Sequence, residues 1–156
     1  MNFNAYEPPK SDIVVEDKQP GSIAKAVAVG AAIEVIGSVL VSLLVGLVYG
    51  FILASQGSSA VEIQQAMEQM ELWSIYGTMA LLLGLLVSGI AGYACARIAN
   101  TNAYQAAYIL SGISFILGMV FGVGAYSWWI LFTLGLVSAS AVLLGARMYI
   151  GRLGAS

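Results

Sequence analysis

The sequence contains no histidine, one cysteine and three prolines, and only 9% of its 156 residues are charged. Without histidine it lacks the commonest general base, the commonest metal ligand and the usual sensor of near-neutral pH. The lone Cys95 cannot form an intramolecular disulfide, and it brings no second ligand for a metal or thiolate site. Net charge is −2, with no basic tract and no aromatic–basic interleaving, so the footprint of a nucleic-acid partner is missing. Soluble domains carry about 25% charged residues. A chain with 9% charged and 60% hydrophobic residues belongs to the membrane class.

What is present begins with residues 26–54, AVAVGAAIEVIGSVLVSLLVGLVYGFILA, a stretch apolar on every side. Small residues climb it in steps of four: Gly30, Ser38, Ser42, Gly46 and Gly50, with Glu34 as the one acid inside any apolar segment. Helical from Ser22, it would reach roughly 50 Å, beyond a hydrocarbon core of about 30 Å. Since residues 35–54 suffice to cross, residues 22–34 are expected to start in the cytoplasmic interface.

Three further spans follow, over about residues 73–99, 103–125 and 128–150. The second has Gly84, Ser88, Gly92 and Ala96 as its ladder, the third Ser114, Gly118 and Gly122, and the fourth Gly135, Ala139, Ala141 and Gly145. Asn100, Thr101 and Asn102 join the second and third spans as an antiparallel hairpin. Gly124, Tyr126 and Ser127 make a tight turn before the fourth. Residues 1–21 are polar and contain Pro8-Pro9 and Pro20-Gly21, so a disordered cytoplasmic tail is expected, without the cleavage site of a signal peptide. In the loop at 55–72, Ser59 followed by Glu62 is a capping-box pattern. Ile63, Met67 and Met70 then recur at helical spacing, which predicts a short amphipathic helix on the outer surface.

All six basic residues, Lys10, Lys18, Lys25, Arg97, Arg147 and Arg152, fall on one side of this arrangement. The positive-inside rule then places both termini in the cytoplasm. Aromatic residues form two belts, with Tyr49, Phe51, Trp73, Tyr76, Tyr126, Trp128 and Trp129 outside and Tyr93, Tyr104, Tyr108 and Tyr149 inside. The expected fold is an all-α, four-span membrane bundle over residues 22–153, N-in and C-in.

Helices in lipid associate through close backbone approach and interhelical hydrogen bonds. Gly46 with Gly50, and Gly118 with Gly122, are GxxxG pairs in the outer halves of the first and third spans, so these spans are expected to approach there. Gly84 and Gly92 serve the same packing role in the second span. Generic intramolecular packing is the first reading of these motifs, and homodimerisation the second.

Glu34 lies 20 residues before Ala54, and Arg97 lies 24 residues after Trp73. With Ala54 and Trp73 at one boundary, the two charges sit within about 6 Å of the same depth, and an ion pair between Glu34 and Arg97 is expected. Two other readings of Glu34 stay open: proton or cation movement, and docking of a partner.

The remaining chemistry points away from an enzyme. An intramembrane aspartyl protease needs a second acid, and a serine dyad needs a base beside Ser138 or Ser140. No glycine-rich phosphate loop follows a strand, so no cofactor or metal is expected. The spans hold almost no Asn, Gln, Asp or Lys to line a pore.

Two stretches carry a resemblance. Asn4-Ala-Tyr-Glu-Pro-Pro-Lys-Ser-Asp12 resembles the N-P-Y-x-P-P-x-S-D tails of many bacterial inner-membrane proteins, departing at its first residues. Residues 55–118 resemble a widespread group of uncharacterised small four-span bacterial membrane proteins, whose second span ends G-G-Y-x-A-x-R-I-A. Here that end reads Ala91-Gly92-Tyr93-Ala94-Cys95-Ala96-Arg97-Ile98-Ala99, with Ala91 in place of the first glycine. The resemblance covers somewhat less than half the chain. It implies the four-span architecture and a bacterial inner-membrane location, and no biochemical activity. The expected function is non-enzymatic: an accessory or regulatory partner working through helix–helix contacts with another membrane protein or a second copy. The alternative is an oligomeric small-solute or ion channel or transporter.

Overall fold

The computed structural model describes residues 21–69, 71–124 and 126–153. The expected tail, apart from Gly21, lies outside these, as do Met70 and Ala125. Five α-helices follow one another: α1 (Ile23–Ser55), α2 (Ala60–Glu68), α3 (Ile75–Ala99), α4 (Ala103–Gly122) and α5 (Trp128–Leu153). The described residues form no strand, and the four long helices agree in number with the four expected spans.

Serines start the first three helices. The side chains of Ser22, Ser59 and Ser74 accept hydrogen bonds from the backbone N–H groups of Lys25, Glu62 and Gly77, which would otherwise lack a partner. At Ser59 the capping box is complete, because the Glu62 carboxylate accepts from the Ser59 N–H at 2.7 Å. A 3-10 turn over Asn100–Asn102 joins α3 to α4, and Asn100 takes φ +53°, a conformation asparagine tolerates better than most residues. Gly124, at φ +91°, turns the chain between α4 and α5.

Three continuous helical stretches are long and apolar enough to cross a membrane: Ile23–Ser55, Ile75–Gly122 and Trp128–Arg152. The middle stretch is 48 residues long and comprises α3, the turn and α4 folded back against each other. These are helices of a kind compatible with a membrane protein. α3 and α4 touch each other and both of the other long helices, while α1 and α5 flank them on opposite sides.

α3 and α5, which run parallel, approach backbone to backbone. A Cβ added at Gly92 would fall on the Val142 carbonyl, and one at Gly145 on the Gly89 carbonyl. Only glycine permits such backbone contact. Along the same seam Ala96 and Ala146 are buried together, and Tyr93 and Tyr149 meet edge to face at 5.6 Å.

α1 runs antiparallel to α3 in a steady register. Gly21 lies against Ile98 and Ala99, Gly30 against Cys95, Gly37 against Val87, and Tyr49 against Tyr76 with ring centroids 4.5 Å apart. This corrects the expected placement of the overhang. Residues 23–34, expected to lead into the span, pack within the bundle, where Ala26, Gly30 and Glu34 are buried. Tyr49 is already level with the second residue of α3, so the end of α1 that extends past its partner is the C-terminal one.

The expected α1–α4 contact through GxxxG pairs is also corrected. Gly46 and Gly50 face Met67 and Ile63 of α2, Gly122 faces Leu131 of α5, and a Cβ at Gly118 or Gly84 would meet nothing within 4 Å. Register is the reason. α1 and α4 are parallel and pair Gly30 with Leu110 and Glu34 with Ser114. Continued along both helices, that offset takes Gly46 past the end of α4, about 12 Å beyond Gly118. α2 covers this part of α1 instead.

Candidate functional site

Glu34 is buried, with 8% of its surface exposed. Glycines one turn before it and three residues after it bring its helix close to the others. A Cβ at Gly30 would stand 2.6 Å from Leu110 Cδ2 and 3.1 Å from Cys95 Cβ, and one at Gly37 would overlap Val87. The carboxylate therefore reaches across to the facing helices. Ser88 of α3 donates to Glu34 Oε1 at 3.0 Å, and Ser114 Oγ of α4 is hydrogen-bonded to Glu34 Oε2. Ser88 Oγ also meets Ser138 Oγ of α5 at 3.1 Å. Ser114 donates to the Leu110 carbonyl at 3.0 Å. Each of the four long helices thus contributes one polar side chain to a single cluster, and Ser88, Ser114 and Ser138 all sit near mid-length in their helices.

This replaces the expected ion pair with Arg97. The Arg97 side chain is exposed, and Glu34 is held by serines. Arg97 lies nine residues past Ser88 on α3, about 13 Å along the helix. The expectation placed Ala54 level with Trp73. The observed register, with Gly37 beside Val87 and Tyr49 beside Tyr76, shifts α1 by two to three residues from that alignment, which carries the Glu34 carboxyl away from Arg97 and within reach of Ser88.

The energetics favour such a cluster over an isolated acid. An acid at a helix centre costs about 2.5–3.5 kcal/mol on insertion scales. Hydrogen bonds to a charged group return about 1.5–3 kcal/mol each, more surely in a low-dielectric interior. Among the described residues no buried side-chain N or O lacks a hydrogen-bond partner. Ser88 and Ser114 read in the sequence as rungs of packing ladders, and Ser138 as a small packing residue. The signal that could have joined them is their shared position at the middle of three successive spans, counted from span centres rather than ends.

A second feature lies toward the C-terminal end of α1. Ser38 and Ser42 are exposed, and the four-residue ladder continues from them to Gly46 and Gly50, which face α2. An open groove of about 920 Å³ runs there between α1 and α2, lined among others by Ser42, Gly46, Gly50, Phe51, Ile63 and Met67. Only 6% of an apolar eighteen-residue window of α1 is buried, against 28% in each of the other two apolar stretches, so α1 is the least covered of the three.

No protein-family model matches the chain, and no curated protein or solved structure shows significant similarity to it.

Proposed function

We propose that this chain is a non-enzymatic integral membrane protein of four spans that acts as an accessory or regulatory partner, docking another membrane protein on α1. The observation that carries this reading is the pair Ser38 and Ser42, exposed on the small-residue ladder of α1, the least covered of the three long apolar stretches. In lipid, burying apolar area against a neighbour gains little, whereas close approach over small residues and hydroxyl hydrogen bonds does drive association.

The orientation is N-in and C-in. Lys25, Arg97 and Arg147 are exposed at the same end of the bundle by the register described above, and the acids Glu62, Glu68 and Glu71 lie at the other. The resemblance of the tail and of residues 55–118 supports the bacterial inner membrane as its location.

A photo-crosslinking side chain at Ser42, compared with one at Leu136 on the exposed face of α5, tests the reading. A discrete adduct with a membrane protein from Ser42 alone is the expected result. Solute flux from the purified protein in vesicles would overturn it in favour of a conductor.

A further inference from the structure

The groove between α1 and α2 exists because two residues of α1 have no side chain. A Cβ at Gly50 would stand 3.7 Å from Ile63 Cγ2 and from Met67 Cε, and one at Gly46 would stand 3.9 Å from Met67 Sδ. Larger residues there would fill the space that the glycines leave open. The side chains lining the groove are apolar apart from Ser42. From Ser42 to Ala54 it follows α1 for about 18 Å. α2 rests chiefly on α1, and Met67, unbranched and flexible, lets this wall adapt to an occupant.

Uncharged along its length, the groove is negative at one end. It finishes where α1 finishes, and the last turn of α1 has no basic residue to offset the roughly half negative charge of a helix C-terminus. Phe51 lines this end with 77% of its surface exposed, and aromatic rings attract cations. Glu62, Glu68 and Glu71 are exposed on α2 and just after it. Glu62 serves the N-terminus of α2, whose polarity is opposite, through the capping box. Glu68 and Glu71 are left without a base at this end. Among the described residues, Lys25, Arg97, Arg147 and Arg152 all lie toward the other end of the bundle.

We infer that the groove between α1 and α2 binds an elongated amphiphilic cation. Its apolar body lies along Gly46 and Gly50, and its positively charged head sits at the C-terminal end of α1 beside Phe51. The apolar walls by themselves would suit the chain of any bilayer lipid. The helix terminus, the aromatic ring and the acids select the sign of the head, because a one-signed rim beside low-dielectric walls concentrates counter-ions. Binding is noncovalent and holds whichever side of a membrane this end faces.

The test uses tetradecyltrimethylammonium carrying a photoreactive diazirine in its chain, with the matching tetradecyl sulfate as the anionic probe. Both are added to the purified full chain in phosphatidylcholine vesicles, and labelled peptides are mapped. Saturable labelling by the ammonium probe of peptides containing Gly46, Phe51 and Met67 is expected, at least about tenfold above the sulfate probe at low salt. That preference should shrink between 0.1 M and 1 M salt, as the screening length falls from about 10 Å to about 3 Å. Gly50→Leu fills the groove and should abolish saturable labelling. Glu68→Gln with Glu71→Gln keeps the groove and should reduce the preference severalfold, and it decides the matter if Gly50→Leu displaces α2. Equal labelling of wild type by the two probes would overturn the proposal and assign the groove to ordinary bilayer chains. So would labelling centred elsewhere, or a preference unchanged in the double variant. Binding is read on the purified chain, so its failure leaves partner docking on Ser38 and Ser42 untouched.

Discussion

Ser88 of α3 donates a 3.0 Å hydrogen bond to the carboxylate of Glu34 on α1, joining residues 54 positions apart at the centre of the bundle. Arg97, the partner that residue counting proposes, stands exposed farther along the same helix. Replacing the two candidate partners should therefore have opposite consequences. Arg97→Ala is expected to change stability by no more than about 0.5 kcal/mol, the usual range for a surface substitution. Ser88→Ala and Ser114→Ala are each expected to cost about 1–3 kcal/mol, because each leaves a buried oxygen short of a partner. Unfolding in mixed detergent micelles measures all three. Exchanging the charges, with Glu34→Arg and Arg97→Glu together, should fail to restore the accumulation that Glu34→Arg loses.

The α3–α5 seam makes a separate prediction. Gly92→Val places a side chain against the backbone of Val142, where no rotamer change relieves it, and is expected to cost about 3 kcal/mol or more. Gly84→Ala and Gly118→Ala add a methyl group to open surface. These are expected to be neutral or to stabilise by up to about 1 kcal/mol through helix propensity. Comparing unfolding midpoints of the three variants separates backbone contact from mere glycine content.

The capping box gives α2 a pH dependence. Hydrogen bonds from the Ser59 backbone and side chain hold the Glu62 carboxyl below its ordinary value of 4.5. A folded-state pKa that is lowered contributes stability above the unfolded value, and that stability is lost as pH falls through the folded one. Protection factors of the α2 amides, measured against the intrinsic rate at each pH, should therefore fall on acidification below about pH 4.5, the ordinary carboxyl value. Ser59→Ala should remove most of this pH dependence and raise exchange at neutral pH, since an N-cap contributes about 1 kcal/mol.

Orientation can be read chemically. In a Cys95→Ala background, Ser58→Cys is expected to react with a membrane-impermeant maleimide on intact cells. Gly151→Cys is expected to react only after permeabilisation. The reverse pattern would place both termini outside.

The sequence by itself determined the number of long helices, the hairpin at Asn100, the capped helix after Ser59 and the presence of one acid among apolar spans. These features are local. Hydropathy sets which segments are apolar, and serines, glycines and asparagines mark where helices start and stop. Only the tertiary structure decided what Glu34 touches, where the GxxxG glycines lie and which end of α1 projects. In helices apolar on every side, sliding one past another by a turn leaves hydropathy unchanged, yet it replaces every neighbour. Here a shift of two to three residues along α1, about 4 Å, separates a clasp with Arg97 at the bundle's end from a serine-lined carboxyl at its centre.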